Sequence, residues 1–572
     1  MFPLRYRIAG VVIAAGFLLP LSAARADVLG ESHTFFTSPT YDASGASTVS
    51  ATARAIGQNA YWYVDDRYWA SLSEAQRNQF TSALNQFVGE FDSSIYPKST
   101  SFWGSEAKPG VDGDPRVTVF LERLTQNAGG YFQTINNYPK SQAPDSNARE
   151  MFYVNVESVL TSRARDLTSH EFQHLISFNQ KELLQHISDD TWLNEARSEY
   201  NITEAGYSEP FNGSSLQRRM FSFLSVPSDS LVDWPNTTTD YGIASLFLHY
   251  VADRFGPALA AWTIHSPTNG VVAIDDWLRM NSSERFPDLF TDWMAASYLN
   301  DPTIDARYAY ARPGLSTFHI TPQQRIALST VSSSATPTSL GEWQPWWLQL
   351  DVPSSADATS AVNIQLAGQA GPWWGGAAIG TYADGHHRVI PFAAINGQST
   401  VGVPVQDAAA HLVSVVLAIT QGNVLPVDGR QLQVLPATVT ATIGQPVATP
   451  APTPVPTGVR DGDLIRHDSE PEIYVIWGPY RRYLRDDILA LYGFQNRPVI
   501  AVGNDVFGRY TTSNYIRAVD GYKVYAVWPD GTKHWLNITA QQWDASGRDW
   551  NAIFIVNDAE VNFYTTGPDI TR

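Results

Sequence analysis

The spacing of apolar residues changes along the chain and divides it into parts. Up to residue 165, short alternating runs at 61–64, 116–121 and 151–154 predict strands. From 166 to 312, apolar residues recur at helical spacing, as in the run 286–299. This order predicts an α+β unit over 27–312, with a sheet part at 27–165 and a helical part at 166–312.

One helix is predicted among the first strands. Phe80, Leu84 and Phe87 form an apolar stripe at helical spacing. Ser71 and Glu74 have the spacing of a capping box, in which each side chain bonds the other residue's backbone N–H. The pattern therefore predicts a helix that begins beside Ser71.

The second half of the chain has a different pattern. Over 313–447, short alternating runs are separated by Gly, Pro and Ser clusters, which is typical of an antiparallel β-sandwich. Five tryptophans there fit either a sandwich core or a carbohydrate platform, and the core is the commoner use: Trp343, Trp346, Trp347, Trp373 and Trp374. The Pro- and Thr-rich run 448–458 cannot pack a core and predicts an extended linker.

The segment 459–572 contains an internal repeat. Residues 464–466 return as 515–517, and 473–477 return as 524–528. A period near fifty with strand-like cores predicts two copies of one β-rich unit. Tethered aromatic repeats of this kind are consistent with a cell-surface or polymer target, and a purely structural pair remains equally open.

Composition excludes several classes of protein. The chain has no cysteine, so disulfides, a cysteine nucleophile and a thiolate metal site are all excluded. The formal net charge of −18 argues against a nucleic-acid partner, because such binding depends on Lys and Arg neutralising phosphates. Aromatic residues make up 12% of the chain, which argues against disorder.

The first residues predict export. Arg5 and Arg7 precede an apolar run, and Ala24-Arg25-Ala26 has the small-x-small pattern of a signal peptidase site. The run is too short to span a bilayer. We therefore expect a signal peptide at 1–26 and a secreted mature chain with no membrane segment.

The strongest chemical motif is a histidine pair. His170-Glu171-Phe172-Gln173-His174 places two imidazoles four residues apart, on one face of a helix, where they can bind one metal ion. Glu171 lies about 100° round the helix from His170 and so stands beside the metal. The alternative is an ordinary pair of core or surface histidines.

Two histidines leave Zn²⁺ short of its usual three protein ligands, so a third donor is expected elsewhere. Glu195 is the best candidate, because it opens a second helical stretch that can turn back towards the histidines. Glu199 lies four residues on, and we expect it to accept a hydrogen bond from His170 and orient its ring. A plain surface acid is the alternative for Glu199.

These residues resemble a known family. His170–His174 followed by Trp192-Leu193-Asn194-Glu195 is similar to the gluzincin metallopeptidases, and most similar to the hyicolysin-like secreted bacterial peptidases, over roughly 61–301. The resemblance implies a zincin-like fold, Zn²⁺ as cofactor, Glu171 as the general base and protein or peptide substrates. The Gly-x-Met-Glu-Asn motif of the zinc aminopeptidases is absent, which favours an endopeptidase.

The resemblance also implies residues that contact the substrate. Tyr241 is similar to a tyrosine that supports the tetrahedral intermediate, although the spacing to Gly242 differs from the family pattern. Packing at the start of a helix is the alternative role for Tyr241. Asn127, Gly129 and Gly130 resemble the edge strand that binds substrate, and a simple hairpin turn is the alternative there.

Two further questions stay open in the sequence. Asp112-Gly113-Asp114 offers hard oxygen ligands for Ca²⁺, and a turn before a strand explains it equally well. The rival to an enzyme is a surface- or cell-wall-binding protein with an inactive peptidase-like domain, which the sandwich, linker and repeats would favour. Zinc-dependent hydrolysis of a non-peptide amide is a further alternative.

Overall fold

A computed structural model describes residues 26–424, 432–447, 459, 462–518 and 521–571. The predicted signal peptide, apart from Ala26, and the predicted linker lie outside the described residues. Within the described ranges, no helix combines the length and the apolar character that a membrane span requires.

Six strands form the first sheet: β1 (Ser32–Phe36), β2 (Thr48–Ile56), β3 (Ala60–Asp65), β4 (Val117–Glu122), β5 (Gly130–Phe132) and β6 (Met151–Asn155). Their order is β1-β2-β3-β4-β6-β5. β3, β4 and β6 run parallel, whereas β5 is an edge strand antiparallel to β6. The three strands predicted from sequence are confirmed as β3, β4 and β6.

Three helices accompany this sheet: α1 (Asp66–Ser71), α2 (Glu74–Glu90) and α3 (Tyr96–Trp103). The apolar stripe of α2 is buried as predicted, but the predicted cap is wrong. Ser71 ends α1, where its hydroxyl donates to the Tyr68 carbonyl at 2.6 Å. Because α1 occupies Ser71, the capping box falls two residues later, between Ser73 and Gln76.

Seven helices follow: α4 (Arg163–Ser177), α5 (Thr191–Glu204), α6 (Ser215–Ser225), α7 (Thr238–Phe255), α8 (Pro257–His265), α9 (Gly270–Asn281) and α10 (Phe286–Leu299). α4 packs against β6, β5 and α5, and α7 packs against both α5 and α6. The sheet and these helices share one apolar core. The helix predicted at 286–299 is confirmed as α10.

Two sheets follow the helices. Their strands are β7 (Gln324–Ala327), β8 (Ser334–Leu340), β9 (Trp346–Asp351), β10 (Ala361–Gly368), β11 (Trp373–Tyr382), β12 (His387–Ala393), β13 (Gln398–Pro404), β14 (Gln406–Asp407), β15 (Ala410–Gly422) and β16 (Leu435–Gly444). One sheet has the order β13-β10-β16-β8 and the other β12-β11-β15-β9-β7. All described pairs are antiparallel except β7 with β9, so the predicted antiparallel pattern needs that one correction.

The tryptophans of these sheets lie mostly in the core. Trp343, Trp347 and Trp374 are fully buried, and Trp346 and Trp373 pack partly buried against apolar clusters. Flat aromatic faces stacked for sugar binding would be exposed to solvent. The arrangement favours the core interpretation.

The last part contains two five-stranded sheets of the same design. The first has β17 (Leu464–His467), β18 (Ile473–Trp477), β19 (Tyr480–Leu484), α11 (Asp486–Leu491), β20 (Val499–Val502), α12 (Asn504–Phe507) and β21 (Thr511–Thr512). The second has β22 (Tyr515–Ala518), β23 (Val524–Val527), β24 (Thr532–Trp535), α13 (Ala540–Ala545), β25 (Ile553–Val556), α14 (Asp558–Phe563) and β26 (Thr565–Thr566). Their orders, β20-β17-β18-β19-β21 and β25-β22-β23-β24-β26, correspond strand for strand.

The first of these two sheets packs on the helical part, which differs from the tethered arrangement that the sequence suggested. Arg497 Nε lies 2.6 Å from Asp276 Oδ1, and Arg285 Nη1 lies 2.7 Å from Asp463 Oδ1. We call the residues of this contact the buried ion cluster: Asp275, Asp276, Arg279, Arg285, Asp463 and Arg497. The contact was not foreseen because it joins residues about two hundred positions apart.

Candidate metal centre

Three side chains from α4 and α5 converge. His170 and His174 are one turn apart on α4, and their Nε2 atoms are 3.1 Å apart. Glu195, in the first turns of α5, places Oε2 at 3.1 Å from His170 Nε2 and 3.5 Å from His174 Nε2. All three ligand-type atoms lie within 4.8 Å of one another, which is close enough to share one metal ion.

The rotation of α4 is set by its apolar face. Phe172, Leu175 and Ile176 are buried in the core, where Phe172 packs on Phe91 and stacks on Tyr96 at 5.4 Å. Burying these side chains turns the opposite face of α4 towards α5. The two histidines and Glu171 therefore face the same small space, while the core holds the helix in place.

Hydrogen bonds on the far side of each ring orient both histidines. His170 Nδ1 lies 3.2 Å from Glu199 Oε1, as the sequence predicted for Glu199. His174 Nδ1 lies 2.5 Å from Asn194 Oδ1 and 3.1 Å from Ser198 Oγ. With Nδ1 engaged, Nε2 of each ring is left to face Glu195, and this is the arrangement that metal-binding histidines use.

Sequence reasoning missed Asn194 and Ser198, although their positions contained a signal. The two residues are four apart on α5, on the face adjacent to Glu195. Ser198 Oγ also donates to Gln173 Oε1 at 2.7 Å, which ties α5 to α4.

Arg219 is another missed residue, and it lies on α6. Its Nη2 donates to Glu199 Oε1 at 2.6 Å, and its guanidinium lies 4.6 Å from the centroid of the Tyr241 ring. Burial favours the neutral form, but the Glu199 carboxylate outweighs it and raises the pKa of Arg219. No local pattern identifies Arg219, because its role depends on how α6 packs against α5 and α7.

The centre has an excess of negative charge. Three carboxylates, those of the buried Glu171 and Glu199 and of the partly buried Glu195, lie near one guanidinium among the described residues, that of Arg219. Burial by itself lowers the pKa of His170, but the nearby Glu195 and Glu199 carboxylates raise it to about 10. Burial raises the pKa of Glu171. The grouped carboxylates therefore attract positive charge, which either a proton or a metal cation can supply.

One oxygen has a position suited to a cation. Glu195 Oε2 is buried, and despite its short distances to both imidazoles it has no hydrogen-bond partner of acceptable geometry. A buried carboxylate oxygen without a donor is costly. Nitrogen and carboxylate donors in this number match the ligand set of Zn²⁺, and the residues present therefore fit that ion.

Glu171 and the edge strand β5 are in direct contact. A Cβ at Gly130 would lie 2.7 Å from Glu171 Cγ and 2.7 Å from the Tyr153 carbonyl oxygen, so only glycine fits. Gly129 lies one residue away, and its carbonyl accepts a hydrogen bond from Asn155 N–H at 2.8 Å. Asn127 is exposed in the turn that precedes β5. Of these three predicted substrate residues, the structure places Gly130 at the centre.

Tyr241 lies beside the metal ligands. Its ring centroid is 6.3 Å from that of His170, and burial raises the pKa of its hydroxyl. The hydroxyl donates to Asn236 Oδ1 at 3.0 Å. Tyr241 therefore belongs to the wall of the centre, with its proton engaged by a neighbouring side chain.

Other candidate residues lie elsewhere. His186 is exposed, and His249 is buried with both ring nitrogens engaged, by the Ser245 carbonyl at 2.7 Å and Thr203 Oγ1 at 2.8 Å. Asp112 and Asp114 accept hydrogen bonds within their own turn. In the described part of the chain, neither aspartate belongs to a group of three ligand-type side chains within reach of one ion.

A second group of ligand-type side chains consists of Asp27, Glu31 and His33. Arg149 already pairs with the Asp27 carboxylate, which also accepts a hydrogen bond from the Tyr63 hydroxyl at 2.8 Å. The Arg149 guanidinium already supplies the positive charge there. We therefore interpret the group as a structural ion pair between Asp27 and Arg149, with Glu31 and His33 beside it.

Fold and site together define a mixed helix-and-sheet protein with a partly buried His-His-Glu centre. No family model matches the chain. Part of it is similar to the neutral metalloprotease ShpI of Staphylococcus hyicus, with 24% identity over 220 residues, 35% of this chain and 49% of that protein. The chain thus spans about half the length of this relative. This distant similarity relates the chain to a metallopeptidase.

Proposed function

We propose that the chain is a secreted zinc-dependent endopeptidase of the gluzincin class. The observation that carries the proposal is the convergence of His170, His174 and Glu195 on one point. The distant similarity to a neutral metalloprotease supports a peptidase at the coarse level. Secretion rests on the predicted signal peptide.

In this proposal His170, His174 and Glu195 hold Zn²⁺. The doubly positive ion would cancel the charge that Arg219 leaves unbalanced among the three carboxylates. Three protein ligands are typical of catalytic zinc sites, which keep one position open. When bound, Zn²⁺ lowers the pKa of water towards neutrality and polarises the scissile carbonyl.

The remaining residues have roles in proton transfer and charge stabilisation. Glu171, buried beside the histidines, accepts the proton of the attacking water and passes it to the leaving amine as the C–N bond breaks. Tyr241 turns its hydroxyl from Asn236 to the oxyanion that forms on the substrate. Glu199 and Arg219 hold the His170 ring in place.

The edge strand explains how a peptide is positioned. β5 pairs with β6 on one side only, so its other backbone groups are available to an extended substrate. Gly130 brings this strand into contact with Glu171. A peptide bound along β5 would therefore pass the proposed general base.

The test is the substitution Glu171→Gln. It removes the proton acceptor but keeps the shape, so we expect peptide cleavage to fall by about 10²–10⁴-fold while zinc content stays at one per chain. Glu204→Gln, at the C-terminal end of α5, is the matched control, and this variant should cleave peptide as the wild type does. Unchanged cleavage by the Glu171 variant would remove the mechanism.

A chelator assay on casein separates this proposal from its rival. Proteolysis that EDTA stops and zinc restores supports the enzyme. Absence of proteolysis, together with retention of the full chain on a cell-wall glycan resin, supports the surface-binding protein. The exposed aromatic residues of the second repeat, Tyr522 and Trp528, are the residues we would substitute to test such retention.

A further inference from the structure

A short segment between α6 and α7 contacts Tyr241, whose ring lies beside that of His170. We call residues 226–237 the Tyr241 wall. Trp234 packs edge-on against the Tyr241 ring, with centroids 5.1 Å apart. Asn236 Oδ1 accepts the hydrogen bond of the Tyr241 hydroxyl. The position of Tyr241 therefore depends on where this segment lies.

The β-sandwich holds the Tyr241 wall. Gln344 Nε2 donates to the Ser228 carbonyl at 2.7 Å, and Ser230 Oγ donates to the Glu342 carbonyl at 2.7 Å. Leu231 N–H donates to the Trp343 carbonyl at 3.0 Å. Three consecutive residues of the loop before β9 thus bind the segment that contacts Tyr241.

The loop that binds residues 226–237 also contains an unusual backbone conformation. Trp343 has φ +50°, a left-handed conformation that a bulky residue seldom adopts. It is held there by a hydrogen bond from its N–H to the Gln421 carbonyl at 2.7 Å and by burial of its ring against Phe286 and Phe290 of α10. Such outliers persist where the surroundings determine them, and they concentrate at functional sites.

We infer that the β-sandwich is a working part of the metal centre, because loop 341–344 positions Tyr241 through the Tyr241 wall. The inference rests on the proposed function and adds a positioning residue, Gln344, to it. Gln344 contacts neither the ligands nor Glu171. It acts by fixing Ser228, which lies in the segment that ends at Asn236.

The test compares two glutamines of the sandwich. Gln344→Ala removes the bond to the Tyr241 wall, whereas Gln323→Ala removes a similar bond, to Trp347 N–H at 2.8 Å, that does not reach this segment. On a fluorogenic peptide that the wild type cleaves, we expect Gln344→Ala to lower kcat about tenfold, with KM and zinc content unchanged. Hydrogen exchange should increase in 226–237 and not in α4. Gln323→Ala should match the wild type.

A double-mutant cycle separates positioning from general damage. In a Tyr241→Phe background, Gln344→Ala should cause no further loss of kcat, because the group it positions is already removed. Additive losses, an unchanged kcat in Gln344→Ala, or a Tyr241→Phe variant as active as the wild type would each overturn the inference. A wild type that cleaves no peptide would instead refute the proposed function. In that case, unchanged hydrogen exchange of 226–237 in Gln344→Ala would still refute the structural connection.

Discussion

Two groups of buried charges in this molecule have opposite balances. In the buried ion cluster, Asp275, Asp276 and Asp463 face three arginines, so every carboxylate has a partner. In the candidate metal centre, three glutamates face one guanidinium of the described residues, that of Arg219, and two histidines, and Glu195 Oε2 has no hydrogen-bond partner of acceptable geometry. Both groups lie largely out of contact with water. An unpaired charge in such surroundings is expensive.

The difference distinguishes a structural connection from a binding site. In the balanced cluster the arginines neutralise the carboxylates, and the cluster joins the helical part to the first C-terminal repeat unit. In the candidate metal centre, the excess carboxylate charge attracts a proton or a cation, and the Nε2 atoms of the two histidines lie 3.1 Å apart. Charge balance is thus a better guide to function here than burial or the number of charged residues.

The largest expected effect comes from breaking the balanced cluster. Arg285→Ala would leave Asp275 buried without its main partner and Asp463 without one of its two arginines, and we expect a loss of about 3–5 kcal/mol in the free energy of unfolding. Urea unfolding followed by tryptophan fluorescence measures it. Arg325→Ala, which breaks an exposed pair with Asp351, is the control and should change little.

Zinc content should not change in Arg285→Ala, because the buried ion cluster has no part in metal binding. Unaltered stability of this variant would mean that the cluster is not the connection we describe. Loss of zinc without loss of stability would place it in the metal centre instead.

A smaller effect is expected from weakening the unbalanced site. Glu199→Gln removes the carboxylate that orients His170. Loss of a hydrogen-bond partner of this kind lowers metal affinity about 10–100-fold. Competition with a chromophoric zinc chelator measures this affinity. Glu204→Gln, on the same helix, should bind zinc as the wild type does. Equal affinities in both variants would show that Glu199 does not support the site.

The smallest effect concerns a buried histidine outside the centre. Burial lowers the pKa of His249 to about 3, opposite to the shift at His170. As pH falls below the ordinary value of 6.5, the unfolded chain gains a proton at His249 that the folded chain does not. Stability is therefore lost from pH 6.5 downwards, by about 1.4 kcal/mol at pH 5.5.

His249→Gln should remove this part of the pH dependence. Unfolding free energies of variant and wild type between pH 5 and 7.5, both with zinc, give the comparison, because the titration of the metal centre is common to the two. Parallel curves for the two proteins would contradict the interpretation of His249 as a neutral core residue.

The sequence predicted those site residues that are spaced one helical turn apart along the chain. His170 and His174 are four apart on one helix, and Glu195 and Glu199 repeat that spacing on the next, so convergence of two helices was a reasonable expectation. Strands β3, β4 and β6 and helix α10 followed from apolar spacing in the same way.

The parts that were missed depend on contacts between distant segments. Arg219 reaches Glu199 only because α6 packs on α7, where Gly242 allows the Phe223 backbone close. Gln344 meets Ser228 across more than a hundred residues, and Arg497 meets Asp276 across more than two hundred. No local pattern encodes such pairs. The misplaced cap at Ser71 is different, since the error is only two residues: α1 extends to Ser71, and the capping box therefore begins at Ser73.

The central claim is that His170, His174 and Glu195 hold one zinc ion. Metal analysis of the purified chain tests it most directly, by inductively coupled plasma mass spectrometry of the wild type and of Glu195→Ala, with Asp463→Ala from the buried ion cluster as the control. The account predicts one zinc per chain in the wild type and the Asp463 variant, and much less in the Glu195 variant. A wild type without zinc, or a Glu195 variant with a full complement, would contradict it.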